Sequence, residues 1–233
     1  MREAGERNGA VVLAAGRGSR MKSSVHKQYL EIGGRPVLYY SLKQFEDCPQ
    51  VDEIVLVTGE QEMEYCRREI VERWGLKKVS RIVAGGQERY HSVHHGLCAL
   101  ADCDYVLIHD GARPFVDQAM LNRALGTVRE TGACVVGMPV KDTIKVCDDR
   151  QFAVKTPRRS DLWMVQTPQV FSFPLIKKAY EKLMESGRSN VTDDAMVLET
   201  MEGHPVKLVE GSYRNIKITT PEDLLIAEAF LRG

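Results

Sequence analysis

The sequence predicts an α/β protein built on a doubly wound, mostly parallel sheet from which a β-hairpin projects. Short apolar runs bounded by turn residues recur at 10–16 (AVVLAAG), 53–59 (EIVLVTG), 81–86 (RIVAGG), 105–114 (YVLIHDGARP) and 134–139 (CVVGMP), each the length of a buried strand. Stretches with helical spacing separate them, at 37–47, 60–74, 88–101 and 117–131, and strands alternating with helices feed a parallel sheet covered on both faces. The rhythm breaks after Pro139. VKDTIKVCDDRQFAVKTPRR holds two alternating segments, near TIKV and FAVK, joined by the turn-like CDDRQ, and this reads as a hairpin too short for a core of its own. Such a hairpin needs a partner surface, and a second subunit would supply one.

The remaining elements follow in order. A helix is expected at 174–186 and another starting near Thr192, with Thr192 as its N-cap and Asp193 and Asp194 in its first turn. A strand pair is expected around VKLVEG and NIKIT, then a final helix from Pro221, since proline suits the first helical position. Repeats and low-complexity segments are absent.

With 233 residues the chain can bury one sizeable core, and 43% hydrophobic with 27% charged residues is an ordinary globular composition. Lys+Arg and Asp+Glu are both 32, so no overall charge favours nucleic acid or a membrane surface and any anion site must be local. The six cysteines form no CxxC pair and read as reduced thiols. The polar start MREAGERNG and the strand-sized apolar runs indicate neither a signal peptide nor a membrane span, so a cytoplasmic protein is expected.

Ligands of such sheets bind beyond the carboxyl ends of the strands. After the first strand, AAGRGSRMKSSVHKQ spaces Gly16 and Gly18 as a dinucleotide fingerprint does, but Met21 stands at the third glycine, and the GKS or GKT of a P-loop is missing. What remains is either a solvated basic turn or a phosphate loop whose amides work with Arg17, Arg20, Lys22 and Lys27; its place after the first strand favours phosphate. The fourth strand ends in Asp110, followed by Arg113. Two readings stand for Asp110: one ligand of a hydrated Mg²⁺, or a turn aspartate paired with Arg113. His109 reads as a packed strand residue. The GGQERYHSV turn at 85–93 could meet a base or ribose through its amides and Ser92. Lys217 lies inside an apolar run, either as a ligand group or as an edge-strand gatekeeper. His91, His94 and His95 share helical spacing and read as a surface helix in preference to zinc ligands. No GxSxG, HExxH or general-base dyad is present. Phosphate attack on a nucleotide needs none, because the nucleophile is largely ionised at neutral pH, and charge neutralisation with in-line positioning suffices.

Taken in order, LAAGRGSRM, KQYLEIGGRPVL, GGQERYHSV, HDGARPF, PVKDTIKV, TPRRSDLW to QTPQVF, TDDAMVLE and NIKITTPEDL resemble the 2-C-methyl-D-erythritol 4-phosphate cytidylyltransferases of the non-mevalonate isoprenoid pathway. The resemblance spans roughly residues 9–230. It implies a Rossmann-like domain of the nucleotide-diphospho-sugar transferase kind over 9–233, a tail at 1–8, and an arm at 141–161 through which a homodimer forms. It implies cytidylyl transfer from CTP with Mg²⁺. By this resemblance Arg20, Lys27 and Lys217 are catalytic, Asp110 holds the metal, and Ala14, Ala15, Gly16, Gly18, Gly85, Gly86, Gln87 and Ser92 bind the nucleotide. Thr143 and Arg159 would reach the acceptor from the arm into the other subunit's site, joined by Arg113 and Thr192. Some relatives have Asp where Gln87 stands, so main-chain recognition is expected there, and Arg158 is the alternative to Arg159. A ribitol 5-phosphate cytidylyltransferase and a non-catalytic nucleotide-binding regulator are the rival readings.

Overall fold

Most of the central strands form where β-branched and aliphatic residues cluster. The computed structural model describes residues 4–16 and 27–232, the Lys27 side chain excepted. Among them the strands are β1 (Asn8–Ala14), β2 (Glu31–Ile32), β3 (Arg35–Pro36), β4 (Glu53–Thr58), β5 (Val79–Ala84), β6 (Tyr105–Asp110), β7 (Ala133–Pro139), β8 (Val146–Cys147), β9 (Ala153–Lys155), β10 (Trp163–Ser172) and β11 (Lys207–Glu210). The helices are α1 (Val37–Glu46), α2 (Met63–Tyr65, continued by a π-helical stretch Cys66–Glu72), α3 (Arg89–Ala99), α4 (Gln118–Thr131), α5 (Phe173–Ser186), α6 (Asp194–Glu202) and α7 (Pro221–Arg232).

Seven strands make one sheet in the order β11-β7-β10-β6-β1-β4-β5. β1 lies parallel between β4 and β6, β4 and β5 are parallel, and β11 is parallel to β7. β10 runs antiparallel to both β6 and β7, so the mostly parallel sheet carries one reversed strand in its interior. The sequence reading missed β10. Pro168 argues against a central strand, since proline cannot donate to the ladder, and the β10–β7 register does shift between Val165 and Gln169. NIKIT is not a strand either: residues 215–219 are irregular, held by the Ile218 amide donating to the Ala112 carbonyl at 2.8 Å.

Alternation along the strands builds two cores. Ala10, Val12 and Ala14 face one with Ile54, Leu56 and Leu107, covered by Leu38, Leu42 and Phe45 of α1 and by Met120, Leu121, Ala124 and Val128 of α4. Val11, Val55, Val57, Val106 and Ile108 face the other, covered by Val93 and Leu97 of α3, Ile176 and Tyr180 of α5, and Val197 and Leu198 of α6. Truncating a wholly buried ring such as Phe45 to alanine would cost about 3–5 kcal/mol. The helices end where the chain dictates: the Asp117 side chain accepts the Met120 amide at α4, and Gly132 closes α4 in the left-handed region at φ 73°.

The hairpin of β8 and β9 stands out from this body. Residues 141–156 are all exposed, and Phe152 and Val154 remain 63% and 62% exposed. Its two ends share a rung, because Trp163 at the start of β10 pairs with Pro139 at the end of β7. Within the tail expected at 1–8, Glu6 and Arg7 are tied to the body. Glu6 is buried and paired with Arg129 at 2.7 Å, and the Arg7 amide donates to Asp104. Among the described residues no helix is long and apolar enough to cross a membrane.

Candidate active site

A cavity of about 590 Å³ opens at the carboxyl ends of β1 and β6, lined by Leu13, Ala14, Ala15, Gly16, Gln28, Gly86, Gln87, Glu88, Arg89, Ser92, Asp110, Ala112 and Lys217. β1 delivers Ala14 to Gly16 to its floor, and the Gln28 side-chain amide donates to the Ala14 carbonyl, fixing the chain there. The β5–α3 turn forms a wall. Cβ atoms at Gly85 and Gly86 would collide with Ala15, Ser92 and His91, so this close approach requires glycine. Ser92 Oγ accepts the Gly86 amide at 3.1 Å and donates to the Glu88 carbonyl at 3.3 Å, bracing the turn while lining the cavity.

The charged groups converge on Asp110. Lys217 Nζ lies 2.6 Å from its Oδ2 and Arg89 Nε 3.4 Å from its Oδ1. Burial opposes the carboxylate charge, yet Arg89 and Lys217 hold its pKa well below the usual range. Thr167 Oγ accepts the Asp110 amide at 3.0 Å and meets His109 Nδ1 at 3.0 Å, while His109 Nε2 faces the Arg113 carbonyl at 3.1 Å. A carbonyl can only accept, so Nε2 carries the proton and Nδ1 accepts from Thr167. Burial pushes this imidazole down to about 4, leaving it neutral and structural, packed against Phe45 at 5.1 Å.

Behind Asp110 lies a second carboxylate. Arg89 makes a two-pronged bridge to Asp194, Nη1 to Oδ1 and Nη2 to Oδ2, each 2.8 Å. Asp194 is wholly buried, and Tyr180 donates to its Oδ1 at 2.5 Å. Gln169 secures the same helix start, donating to Asp193 and accepting the Ala195 amide, both at 2.9 Å.

Of the residues expected from sequence, the structure gathers Ala14, Ala15, Gly16, Gly86, Gln87, Ser92, Asp110 and Lys217 around one cavity, with Gly85 packed behind it. Gly18 and Arg20 lie outside the described residues, as does the Lys27 side chain. Arg113 does not pair with Asp110. Its Nη1 donates to the Asn215 carbonyl at 2.7 Å, and Asp110 takes Lys217 and Arg89 instead. Thr192 is exposed and is not the N-cap; Asp193 is, accepting the Met196 amide at 2.9 Å. Carboxylate oxygens are stronger acceptors than a hydroxyl, and Asp193 stands one residue nearer the first turn. Thr143 and Arg159 sit on the arm, Arg159 donating to the Lys141 carbonyl at 3.1 Å, and neither lines this chain's cavity. Arg89, Asp194, Glu88 and Gln28 were not singled out from sequence. Arg89 lay within a quoted motif, but its partner is 105 residues away and no local pattern joins them.

A glycine-bounded cavity at the strand ends, with Lys217, Arg89 and Asp110 gathered on its wall, fits the class of α/β proteins that bind phosphorylated nucleotides. Comparison narrows the class. Residues 9–233 match the family IspD, 2-C-methyl-D-erythritol 4-phosphate cytidylyltransferase, and the chain belongs to that family. It is similar to the enzyme of that name from Lachnospira eligens, with 51% identity covering 97% of this chain and 100% of the relative, and to that from Caldanaerobacter subterraneus, with 50% identity covering 96% and 98%. Among solved structures it resembles 4-diphosphocytidyl-2C-methyl-D-erythritol synthase from Anaerococcus prevotii, with TM-score 0.86 and 36% identity over 98% of this chain and 97% of that one. The Thermus thermophilus 2-C-methyl-D-erythritol 4-phosphate cytidylyltransferase matches with TM-score 0.78 and 32% identity over 96% and 98%.

Proposed function

We propose that the protein transfers a cytidylyl group from CTP to 2-C-methyl-D-erythritol 4-phosphate, releasing pyrophosphate, in isoprenoid precursor synthesis. A phosphate oxygen of the acceptor attacks the α-phosphorus of CTP; the new P–O bond forms as the bond to the β-phosphate oxygen breaks. The observation that carries this reading is the pairing of a tight glycine turn with Lys217, Arg89 and Asp110 in one cavity of nucleotide size. The turn at Gly85 to Gln87 borders the base and ribose, Ala14 to Gly16 line the phosphates, and Lys217 stabilises charge growing at the α-phosphate. Arg20 and Lys27, by their place in the family motif, share that task.

The cavity suits Mg²⁺. This ion takes few protein carboxylates and completes its shell with water and phosphate, and Asp110 supplies one carboxylate. Lys217 occupies its Oδ2, while among the described residues Oδ1 has the long 3.4 Å approach of Arg89, leaving lone pairs for a cation. When bound, the ion would draw charge from the phosphate oxygens; the chain's part is to orient Asp110 through Thr167 and Lys217.

The exposed arm supports a homodimer in which Thr143 and Arg159 complete the acceptor site of the second subunit beside that site's Arg113 and Thr192. Ile144, Val146, Phe152 and Val154 offer an apolar surface for it. Such an enzyme would work in the cytoplasm, where CTP is made. Turnover of the two candidate acceptors with CTP tests the assignment: methylerythritol phosphate is the expected substrate, and a preference for ribitol 5-phosphate would overturn it.

A further inference from the structure

Two carboxylates share one guanidinium unevenly. Arg89 gives both terminal nitrogens to Asp194 at 2.8 Å and only grazes Asp110 through Nε at 3.4 Å. The planar fork of arginine matches a carboxylate best when two N–H groups point at two oxygens. Asp110 also lies within reach of this fork, carries full charge, and is the group the cavity needs free. Asp194 takes the fork instead. It is wholly buried, fixed by Tyr180 at 2.5 Å, and anchored on a helix start that Gln169 ties to β10. Nothing about capping α6 requires this carboxylate, because Asp193 already caps it.

We infer that Asp194 is a positioning residue which sequesters the Arg89 fork, so that Asp110 keeps one oxygen open for a divalent cation. Asp194, which does not line the cavity, thereby tunes metal access through Arg89, which does. This rests on the reading of Asp110 as the Mg²⁺ ligand, and the test separates the two.

The test measures CTP binding by isothermal titration calorimetry as Mg²⁺ is varied, taking the Mg²⁺ concentration at which CTP affinity is half-maximally enhanced. In Asp194→Asn the fork turns to Asp110, the remaining carboxylate, and this midpoint should rise about tenfold, the lower end of what partners behind a metal ligand contribute. Adding Arg89→Met to Asp194→Asn removes the fork and should return the midpoint toward that of the unmodified protein. A residue that merely braces the fold would give a double variant at least as impaired as the single one. An unchanged midpoint in Asp194→Asn, or no recovery in the double variant, overturns the inference. If melting shows that Asp194→Asn does not fold, Arg89→Lys decides: lysine pairs with Asp194 but cannot fork onto Asp110, so its midpoint should not rise, and a rise overturns the inference. Asp110→Asn provides the reference. If it leaves the midpoint unchanged, the metal reading falls and this inference with it; if Asp110→Asn shifts it and Asp194→Asn does not, this inference falls alone.

Discussion

Lys217 shows how little a residue's own neighbourhood says about its work. Set in an apolar run, it reads equally as a gatekeeper on a strand edge, but the segment is no strand and its amine crosses 107 positions of sequence to reach Asp110. A cation aimed at charge that develops during reaction acts mainly in the transition state. Lys217→Met should therefore lower kcat by about 10²–10³-fold while changing CTP affinity far less; steady-state kinetics beside calorimetric CTP binding check this, and equal losses in both would contradict it. Arg89 and Asp194 were illegible for the same reason as the Lys217 pairing, since charge partners chosen by tertiary packing leave no spacing in the chain. The glycines were legible because a steric demand sits on the residue itself. A different residue-scale effect belongs to Cys134, whose wholly buried thiol donates to the Ala124 carbonyl and is pushed up to about 12 from 9.0 by burial. The folded state thus holds this proton more tightly than the unfolded one, so its contribution is complete below pH 9 and is lost as pH rises from 9 toward 12, at about 1.4 kcal/mol per unit. Urea unfolding at pH 8 and 10.5 should show a smaller alkaline loss in Cys134→Ala than in the unmodified protein.

At the scale of elements, strands and helices on the main body were readable because turn residues bound each run sharply and burial on both faces keeps the strand runs apolar. β10 was not, because Pro168 breaks the ladder pattern that sequence reading relies on, and the sheet absorbs it by a register shift. Helix starts supply a prediction. Asp117 and Asp193 each cap a helix, at α4 and α6. Asp117→Ala should cost about 1 kcal/mol and leave kinetics untouched. Asp193→Ala removes the cap and the Gln169 contact together, so it should destabilise more and also raise the KM for the acceptor, since Thr192 hangs on that helix start. Thermal melts with acceptor-dependent kinetics separate the two; identical kinetics would remove the α6 start from acceptor binding.

For the whole molecule, the arm decides whether one chain suffices. Its apolar residues are exposed, and neither Thr143 nor Arg159 lines this chain's own cavity. If two subunits share each site, mixing inactive Lys217→Met with inactive Arg159→Ala should restore up to about a quarter of normal activity, because half of randomly mixed dimers carry one intact site of two. Light scattering gives the subunit mass; no recovery after subunit exchange, or a fully active monomer, would refute the shared site.

The reversed β10 has a further consequence. Because it runs against β7, the arm leaves and rejoins the sheet on one rung, Pro139 opposite Trp163, at the edge where ligands sit. In the grammar of the fold the arm is an overgrown hairpin turn, an insertion whose length the sheet does not feel. If the arm carries acceptor recognition as proposed, that recognition can be lengthened, shortened or exchanged as a cassette while the nucleotide cavity stays as it is. On that reading, a graft between Pro139 and Trp163 is where the choice of phosphorylated alcohol would be redesigned.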